Sequence, residues 1–513
     1  FRIYADKNNN PAPPSDDNQP YQSENFLKVS LEGVKEGDFT MVFGFPGRTQ
    51  EYLPYEGMRQ IVEVEDPIRV SVRDIRLEEL DRYMRKDDAT RIKYASRYAR
   101  VANGWKKWIG EMQGVERTGG LERKMAHDQL FYEKMQQDRN LMAKYDGVLP
   151  ELNQKYLERE PFMRGSTYYI EVFYLGSMLN SKAFSLDGKL KSGVAEDKLD
   201  SLADVISANL DNRLDAISLD IELNTLARIY PLFVESMSDT VFDLIGQWDE
   251  EAEGEWRQML GEFAEKSVFT ADKAKMKFLK VLRKKGLDEA TEWLIENDPF
   301  FAMHRASYNW YLNSVRPDLA RTNDEIASMM RVYMQAQMDV FDERRFFPDA
   351  NSTLRLSYGQ VSGFSPEDGL HYGIQTTLKG VIDKYVPGDY EFDLPERLLE
   401  LYELKDYGSY ANEDGSLPVC FIASNHTTGG NSGSPALNGR GELIGLNFDR
   451  LWEGTMSDIN YDASICRNIM VDIRYVLFII DKFAGAGHLI EEMELVQVDV
   501  EGDKLEAEAE PVR

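Results

Sequence analysis

A glycine-rich turn in the C-terminal part of this 513-residue chain carries the residue types of a serine nucleophile. Residues 429–435 read Gly-Gly-Asn-Ser-Gly-Ser-Pro, with Ser432 at the centre. A serine hydroxyl attacks a carbonyl when it is exposed on a tight turn whose backbone N–H groups converge on the developing oxyanion. Ser432 is therefore predicted to be the nucleophile, with the N–H groups of Gly430 and Ser432 as oxyanion donors. The alternative is a glycine-rich turn between strands that has no chemical role.

The residues after this turn indicate which fold presents the serine. Ser434–Leu437 is predicted to be a strand, Asn438 to Gly441 a hairpin turn, and residues 442–448 the returning strand. A strand, a turn and a second strand after the nucleophile are typical of the C-terminal barrel of chymotrypsin-like peptidases. An α/β-hydrolase would instead require a helix directly after the serine.

A catalytic triad also requires a histidine base and a carboxylate that orients it, and in chymotrypsin-like folds both precede the serine. The chain has five histidines, namely His127, His304, His371, His426 and His488. The first two lie in helical sequence, the third follows a turn, and the last comes after the nucleophile. His426 lies where this fold places the floor of the specificity pocket, so it is a pocket candidate rather than the base. The base and its aspartate are therefore expected upstream of Phe1.

Composition limits the classes of partner. The formal charge of −29 argues against nucleic-acid binding, which needs clustered Lys and Arg. No apolar run approaches the roughly 18 residues of a membrane span. Two cysteines, Cys420 and Cys466, exclude a disulfide scaffold and leave both one bridge and two free thiols open. No cofactor and no metal are expected.

The chain changes from β to α character and back again. Residues 1–66 contain short apolar or alternating runs broken by glycines, as expected of strands. Residues 67–346 are charged, rich in methionine and helical in their spacing. The β pattern returns in residues 347–490, and residues 491–513 form an acidic tail. Within the last β region, a helix is expected at 395–404 and strands at 353–361, 419–423 and 469–472.

These patterns predict a fold of mainly β plus α class, namely a chymotrypsin-like double β-barrel with a large inserted α-helical domain. In this interpretation, residues 1–66 are the remainder of the N-terminal barrel, residues 67–346 the inserted domain, and residues 347–490 the C-terminal barrel with the nucleophile.

Several longer stretches resemble one family, the bacterial dipeptidyl-peptidases of the type 7 and type 11 group, and type 11 most. The resemblance is carried by residues 1–4, 43–49, 94–105, 429–450 and 471–477. Members of this family look like a chymotrypsin double barrel with an inserted helical domain. The resemblance implies that the catalytic aspartate and histidine precede Phe1, with a secretion signal before them. Asp38, in a second Gly-Asp-Phe segment, is interpreted as a turn residue.

The resemblance also implies roles in substrate binding. Asp449 corresponds to the carboxylate that receives the substrate's free α-ammonium, and Asn103 to a residue of the helical domain that assists it. Arg450 matches an arginine of the type 11 branch, where type 7 has glycine. A guanidinium binds a carboxylate with two hydrogen bonds and disfavours apolar side chains. Phe448 and His426 are further candidate pocket residues.

The implied function is that of a serine-type dipeptidyl-peptidase that releases N-terminal dipeptides from oligopeptides and prefers Asp or Glu as the second residue. A dipeptidyl-peptidase of apolar preference, a chymotrypsin-fold endopeptidase and a non-catalytic binding protein stay open as alternatives. The resemblance further implies a periplasmic, secreted or cell-surface protein of a Gram-negative bacterium, and a homodimer. The 513-residue form is expected to be inactive because Ser432 lacks its base.

Overall fold

The computed structural model describes residues 2–193, 198–211, 215–237, 240–389 and 391–497. The chain divides into two compact units. The sheet unit comprises Phe1–Gln50 and Asp349–Arg513, and the helical unit comprises Glu51–Pro348. The sequence interpretation ended its first β region at residue 66, and the first boundary between the two units lies earlier than that. Helical backbone already begins at Tyr55, directly after Pro54.

The helical unit contains fifteen α-helices within the described residues. They are α1 (Tyr55–Gln60), α2 (Asp66–Met84), α3 (Asp88–Arg117), α4 (Gly120–Gln136), α5 (Arg139–Tyr145), α6 (Val148–Tyr168), α7 (Met178–Leu190), α8 (Leu199–Asp211), α9 (Ala216–Ser236), α10 (Asp243–Ala252), α11 (Trp256–Ala264), α12 (Asp272–Lys285), α13 (Leu287–Asn297), α14 (Pro299–Trp310) and α15 (Arg316–Val340). Aspartates begin several of them: the Asp87 carboxylate, for example, accepts a hydrogen bond from the Thr90 N–H at 2.8 Å. In the part of the chain that the structure describes, no helix is both long and apolar enough to cross a membrane.

A large aromatic core holds these helices together. The ring of Phe173 lies 4.9 Å from that of Phe233 and 5.6 Å from that of Tyr230, measured between centroids. Tyr169 and Tyr311 stack at 4.3 Å, and each belongs to a π-helical segment that continues an α-helix. Tertiary burial of this kind, more than intrinsic helix propensity, stabilises helices in globular proteins.

The sheet unit contains thirteen strands and three short α-helices within the described residues. The strands are β1 (Tyr4–Ala5), β2 (Gln19–Pro20), β3 (Val29–Ser30), β4 (Phe39–Gly44), β5 (Arg355–Gln360), β6 (Phe364–Glu367), β7 (Leu370–Tyr372), β8 (Gln375–Thr377), β9 (Pro418–Ala423), β10 (Ser434–Leu437), β11 (Leu443–Arg450), β12 (Asn468–Asp472) and β13 (Leu495–Val496). The helices are α16 (Leu378–Ile382), α17 (Glu396–Leu404) and α18 (Ile473–Phe478).

The main sheet has the strand order β5-β4-β10-β11-β12-β9-β8, and β3 joins it beside β11 and β13. Its two sides meet again where Val361, just after β5, bridges to Ala423 of β9. The Ser424 N–H also donates to the Gln360 carbonyl at 3.0 Å. Inward side chains of the paired strands form one buried cluster of Val42, Val361, Phe421, Ala423, Ala436, Ile444 and Met470. The sheet is therefore strongly curved around a small core of its own.

The position of β4 differs from the sequence interpretation, which assigned residues 1–66 to a separate N-terminal barrel. Strand β4 pairs with β5 and β10, so it belongs to the sheet that carries the nucleophile turn. Its alternate residues Thr40, Val42 and Gly44 are buried, which explains why it inserts there. Of the acidic tail, only residues 491–497 are described, and they include β13. Cys420 and Cys466 do not form a disulfide.

Candidate active site

Ser432 lies exposed on the turn between β9 and β10, as the glycine-rich motif predicted. Two reciprocal bonds close this turn: the Thr428 N–H donates to Asn431 Oδ1, and the Asn431 N–H donates to the Thr428 carbonyl, both at 3.0 Å. The Ser432 hydroxyl donates to the Phe448 carbonyl at 3.4 Å, a long contact. The hydroxyl thus stands at the surface on a turn whose backbone is tightly held.

The peptide bond between Gly429 and Gly430 is fixed by the segment that follows β4. The Gly429 carbonyl accepts the Gly47 N–H at 2.6 Å. In a trans peptide the carbonyl and the next N–H point in opposite directions, so the Gly430 N–H faces away from Gly47. Gly430 has φ +105°, and a Cβ there would lie 2.4 Å from the Phe45 carbonyl oxygen. Glycine is therefore required here by both backbone conformation and close packing.

The direction of the Ser432 N–H is fixed by a chain of hydrogen bonds among buried asparagines. The Asn431 carbonyl accepts the Ser434 N–H at 3.0 Å and Asn447 Nδ2 at 3.3 Å. Asn468 Nδ2 in turn donates to Asn447 Oδ1 at 2.8 Å, and all three asparagines are buried. Because the Asn431 carbonyl points into the protein, the Ser432 N–H of the same peptide points outward.

Two backbone N–H donors of this turn consequently point to its exposed side. In the described part of the chain, the N–H groups of Gly430 and Ser432 have no acceptor of their own. Backbone N–H groups held in advance, with no internal partner, are what stabilise the oxyanion of an acyl-transfer intermediate. This arrangement can support nucleophilic attack by Ser432 on a carbonyl.

The end of β11 brings three predicted substrate residues beside this turn. Strand β10 pairs with β11 only as far as Ser434 and Asn447, so Phe448, Asp449 and Arg450 continue past the end of β10. Their other edge still pairs with β12, through a bulge at Phe448. Phe448 and Asp449 are exposed, and Asp449 Oδ1 accepts the Arg450 N–H at 2.8 Å. An exposed carboxylate and an aromatic ring therefore adjoin the nucleophile.

The Arg450 guanidinium is mostly buried, with 14% of the side chain exposed, and one end of it is occupied. Its Nη1 donates to Asp458 Oδ1 and to Ser457 Oγ, both at 2.7 Å. Its Nη2 lies 3.5 Å from Asp458 Oδ2. Within the described residues, Nε has no acceptor, and an arginine offers five N–H donors in total. Within the described residues, Nε and the second hydrogen of Nη2 therefore have no acceptor, so the Nε–Nη2 edge is open to a further acceptor.

His426 lies against the same short segment. Its Nε2 donates to the Ser457 carbonyl at 2.7 Å, and its ring stacks on Tyr461 with centroids 4.5 Å apart. Burial lowers the pKa of His426 below its ordinary value, more than the hydrogen bond to Ser457 raises it. Within the described residues, Ser432 Oγ makes no hydrogen bond to an imidazole. His426 is thus a neighbour of the arginine site whose neutral form is favoured by burial.

The other candidates from the sequence lie elsewhere. His127 and His304 belong to the helical unit, where His304 Nε2 lies 3.2 Å from Asp187 Oδ2. His371 and His488 lie in β7 and in a short 3₁₀ turn of the sheet unit. Asn103 is exposed on α3 of the helical unit. The carboxylate of Asp38 accepts the Lys35 N–H at 2.7 Å, as expected of a turn residue.

Sequence reasoning did not find the residues that hold these groups in place. They are Gly47, Asn447, Ser457, Asp458 and Asn468. Gly47 lies in a stretch that the family resemblance had marked, but nothing in the stretch indicated a bond to Gly429. The asparagines and the Ser457-Asp458 pair have no local pattern that predicts their partners. Across the described ranges, no group of three or more His, Cys, Asp or Glu side chains is arranged to hold a metal.

Comparison with known proteins adds to this geometry. The peptidase S46 family model matches residues 1–495. An Asp/Glu-specific dipeptidyl-peptidase of Flavobacterium psychrophilum is 43% identical over 502 residues, which are 97% of this chain and 68% of that protein. A dipeptidyl-peptidase 7 of Phocaeicola vulgatus is 34% identical over 509 residues, with the same coverage of both chains.

A solved structure is similar over nearly the same span. Porphyromonas endodontalis DPP11 in complex with the dipeptide Arg-Glu superposes with a TM-score of 0.82 at 32% identity. The match covers 96% of this chain and 69% of that one. Together with the exposed serine turn, a family match over almost the whole length leads to one conclusion: this chain belongs to the peptidase S46 family.

Proposed function

We propose that this chain carries the nucleophile and the specificity site of a serine-type dipeptidyl-peptidase that releases N-terminal dipeptides ending in Asp or Glu. The observation that carries the proposal is the open Nε–Nη2 edge of Arg450, on the strand that runs directly past Ser432. The relatives named Asp/Glu-specific dipeptidyl-peptidases support it, as does the Arg-Glu complex of the P. endodontalis protein.

In the proposed reaction, Ser432 Oγ attacks the carbonyl of the substrate's second residue. A base takes the hydroxyl proton, and the N–H groups of Gly430 and Ser432 hold the oxyanion of the tetrahedral intermediate. Collapse of that intermediate releases the shortened peptide as an amine, and water then hydrolyses the acyl-enzyme. The base is proposed to be a histidine that orients as in a serine–histidine–aspartate triad; within the described residues, Ser432 Oγ bonds to the Phe448 carbonyl and to no imidazole.

The dipeptide length is proposed to be measured by Asp449. Its exposed carboxylate, two residues along β11 from the buried Asn447, is suited to pair with a free α-ammonium beyond the second substrate residue. An endopeptidase would have no use for such an anchor. The assisting role of Asn103 stays a prediction, since it rests on the resemblance alone.

The acid preference is proposed to come from Arg450. A carboxylate on the Nε–Nη2 edge would accept two charge-assisted hydrogen bonds. A neutral apolar side chain would leave that edge of a mostly buried guanidinium without acceptors, which disfavours it. Phe448 and His426 are proposed as walls of the same pocket.

Three further features are proposed on likeness to the family. The curved sheet is proposed to be one barrel of a chymotrypsin-like double barrel, and the meeting of its sides at Val361 and Ala423 supports this. The protein is proposed to be periplasmic or secreted and to act on oligopeptides there. A homodimer is proposed as its assembly.

Fluorogenic dipeptides with Glu, Gln or Leu in second position test the function on the natural enzyme. The Glu substrate should be hydrolysed fastest, and N-acetylation should abolish its turnover. Arg450→Gly should lower kcat/KM for the Glu substrate about 10- to 100-fold, the loss expected for a charge-assisted pair, and relax the preference. Ser432→Ala serves as the inactive control. Faster release after Leu than after Glu, or equal cleavage of the acetylated substrate, would refute the proposal.

A further inference from the structure

We propose that Asp458 is a specificity-determining positioning residue, which orients the Arg450 guanidinium and holds a resident negative charge in the acid pocket. This inference rests on the proposed function, since it concerns how Arg450 binds the substrate's carboxylate. Asp458 would thereby perform two opposed tasks. It turns the open edge of the guanidinium toward the substrate, and it limits how tightly an acidic side chain is held there.

The orienting task follows from the shape of the guanidinium. An arginine presents two edges that can each receive a carboxylate, one formed by Nη1 and Nη2 and the other by Nε and Nη2. Asp458 lies at the first edge, with Oδ1 2.7 Å from Nη1 and Oδ2 3.5 Å from Nη2. Ser457 Oγ takes the remaining strong bond of Nη1. The second edge is consequently left for the ligand.

The segment that carries Asp458 is itself fixed from two sides. The Asp458 carbonyl accepts the Gln50 N–H at 2.7 Å. The carbonyl of the preceding Ser457 accepts His426 Nε2 at 2.7 Å. Two long side chains that pair at a surface contribute little, because each must be ordered first. Here the carboxylate is short and its backbone is held, so Arg450 finds a preformed partner.

The second task follows from charge. Arg450 and Asp458 are 14% and 12% exposed, so solvent screens their charges only in part. Without substrate the pair is neutral, and an incoming carboxylate leaves a net negative charge shared by two carboxylates on one guanidinium. Like charges about 5–6 Å apart repel by an amount on the order of a tenfold change in affinity. This repulsion would speed release of the acidic dipeptide, which would otherwise remain bound as product.

Asp458→Asn and Asp458→Ala separate the two tasks. Asparagine keeps an oxygen acceptor for Nη1 and removes the charge. We therefore expect Asp458→Asn to bind Arg-Glu on the order of tenfold more tightly than the wild type, and Arg-Gln equally well. Alanine removes the acceptor as well and frees the guanidinium to rotate. Asp458→Ala should therefore lose this gain and discriminate less between the two dipeptides.

Isothermal titration of the 513-residue chain with Arg-Glu and Arg-Gln measures both effects without requiring turnover. Asp383→Asn is the matched control, because it removes one exposed carboxylate of the same unit, paired with Lys379, and leaves the pocket unchanged. The control should bind both dipeptides as the wild type does. In the enzymatically active form, Asp458→Asn should lower KM for the Glu substrate without raising kcat.

The outcomes distinguish this inference from the function on which it rests. A wild-type chain that binds Arg-Glu no better than Arg-Gln would sink the acid preference itself. A wild type that discriminates, with an Asp458→Asn variant that binds Arg-Glu equally or more weakly, overturns the charge role alone. An Asp458→Ala variant that binds Arg-Glu as tightly as Asp458→Asn overturns the orienting role.

Discussion

The sharpest test of the nucleophile turn is the substitution Gly430→Ala. An alanine Cβ at this position would lie 2.4 Å from the Phe45 carbonyl oxygen and 3.0 Å from the Gly47 nitrogen. Gly430 also has φ +105°, a region that residues with a side chain occupy only under strain of roughly 1–3 kcal/mol. The turn must therefore move, because both the Phe45 oxygen and the Gly47 nitrogen belong to backbone.

The size of that movement decides the effect on catalysis. Restoring ordinary contact with the Phe45 oxygen requires a shift of about 1 Å, given normal non-bonded separations near 3.5 Å. Oxyanion donors work within a window of roughly 2.7–3.1 Å from the oxyanion. The Gly430 N–H would consequently leave hydrogen-bonding range, and losing one such donor costs about 10²–10³ in kcat. We expect that loss with KM little changed, because the donor acts mainly in the transition state.

The neighbouring Gly429→Ala is the matched control. A Cβ at Gly429 has no heavy atom within 4 Å, and its φ lies outside the left-handed region. Its kcat should stay within about threefold of the wild type, since most surface changes of this kind are nearly neutral. Both variants are assayed in the natural enzyme with a Glu-containing fluorogenic dipeptide, after thermal melts confirm folding. A folded Gly430→Ala enzyme that keeps kcat within tenfold, or an equal loss in Gly429→Ala, would refute the reasoning.

Three further outcomes follow from particular contacts. Asp449→Asn should raise KM for free dipeptides about tenfold or more through the lost ion pair with the ammonium, and a KM that is unchanged would contradict its anchoring role. Asn447→Leu should lower kcat rather than raise KM, since it removes one of the two hydrogen bonds that hold the Asn431 carbonyl inward and so loosens the direction of the Ser432 N–H; an unaltered kcat would exclude this support. Burial and the adjacent Glu111 carboxylate raise the pKa of Asp66 well above its usual range. The folded state therefore keeps a proton on Asp66 that the unfolded state releases above about pH 4. The free energy of unfolding of the wild type falls as pH rises from about 4 to the raised pKa of Asp66 in the folded state. Asp66→Asn should accordingly melt at a higher temperature than the wild type at pH 8 and close to it at pH 5, and an equal difference at both pH values would contradict the raised pKa of Asp66.

Much of the nucleophile turn was predictable because its requirements are local. A serine in a turn with glycines at 429, 430 and 433, followed by Ser434–Leu437 and a hairpin, indicated both the exposed hydroxyl and the following strands. The structure has Gly430 and Gly433 at positive φ, where glycine is the residue that fits without strain. Strand limits were less accurate: β11 extends to Arg450 rather than ending at residue 448, because pairing with β12 continues past the hairpin.

The supports of the site could not be predicted in the same way. Gly47 donates to Gly429, and β4 inserts between β5 and β10, although hundreds of residues separate these segments in the chain. Asp458 is only eight residues from Arg450, yet its contact depends on the irregular path between them and on the bond from Gln50. No periodicity specifies such pairs.

The sequence by itself therefore determined which residue types lie near the reacting atoms. They are the serine, the glycines that let backbone donors approach, and the arginine that matches one branch of the family. Only the tertiary structure decided how those groups are aimed. The N–H groups of Gly430 and Ser432 point outward because the carbonyls of the same peptides are bonded to Gly47 and Asn447. Asp458 occupies one of the two edges of the Arg450 guanidinium. The physical reason is that residue type and backbone conformation are short-range properties, whereas direction is imposed by hydrogen bonds whose two partners meet only after the chain has folded.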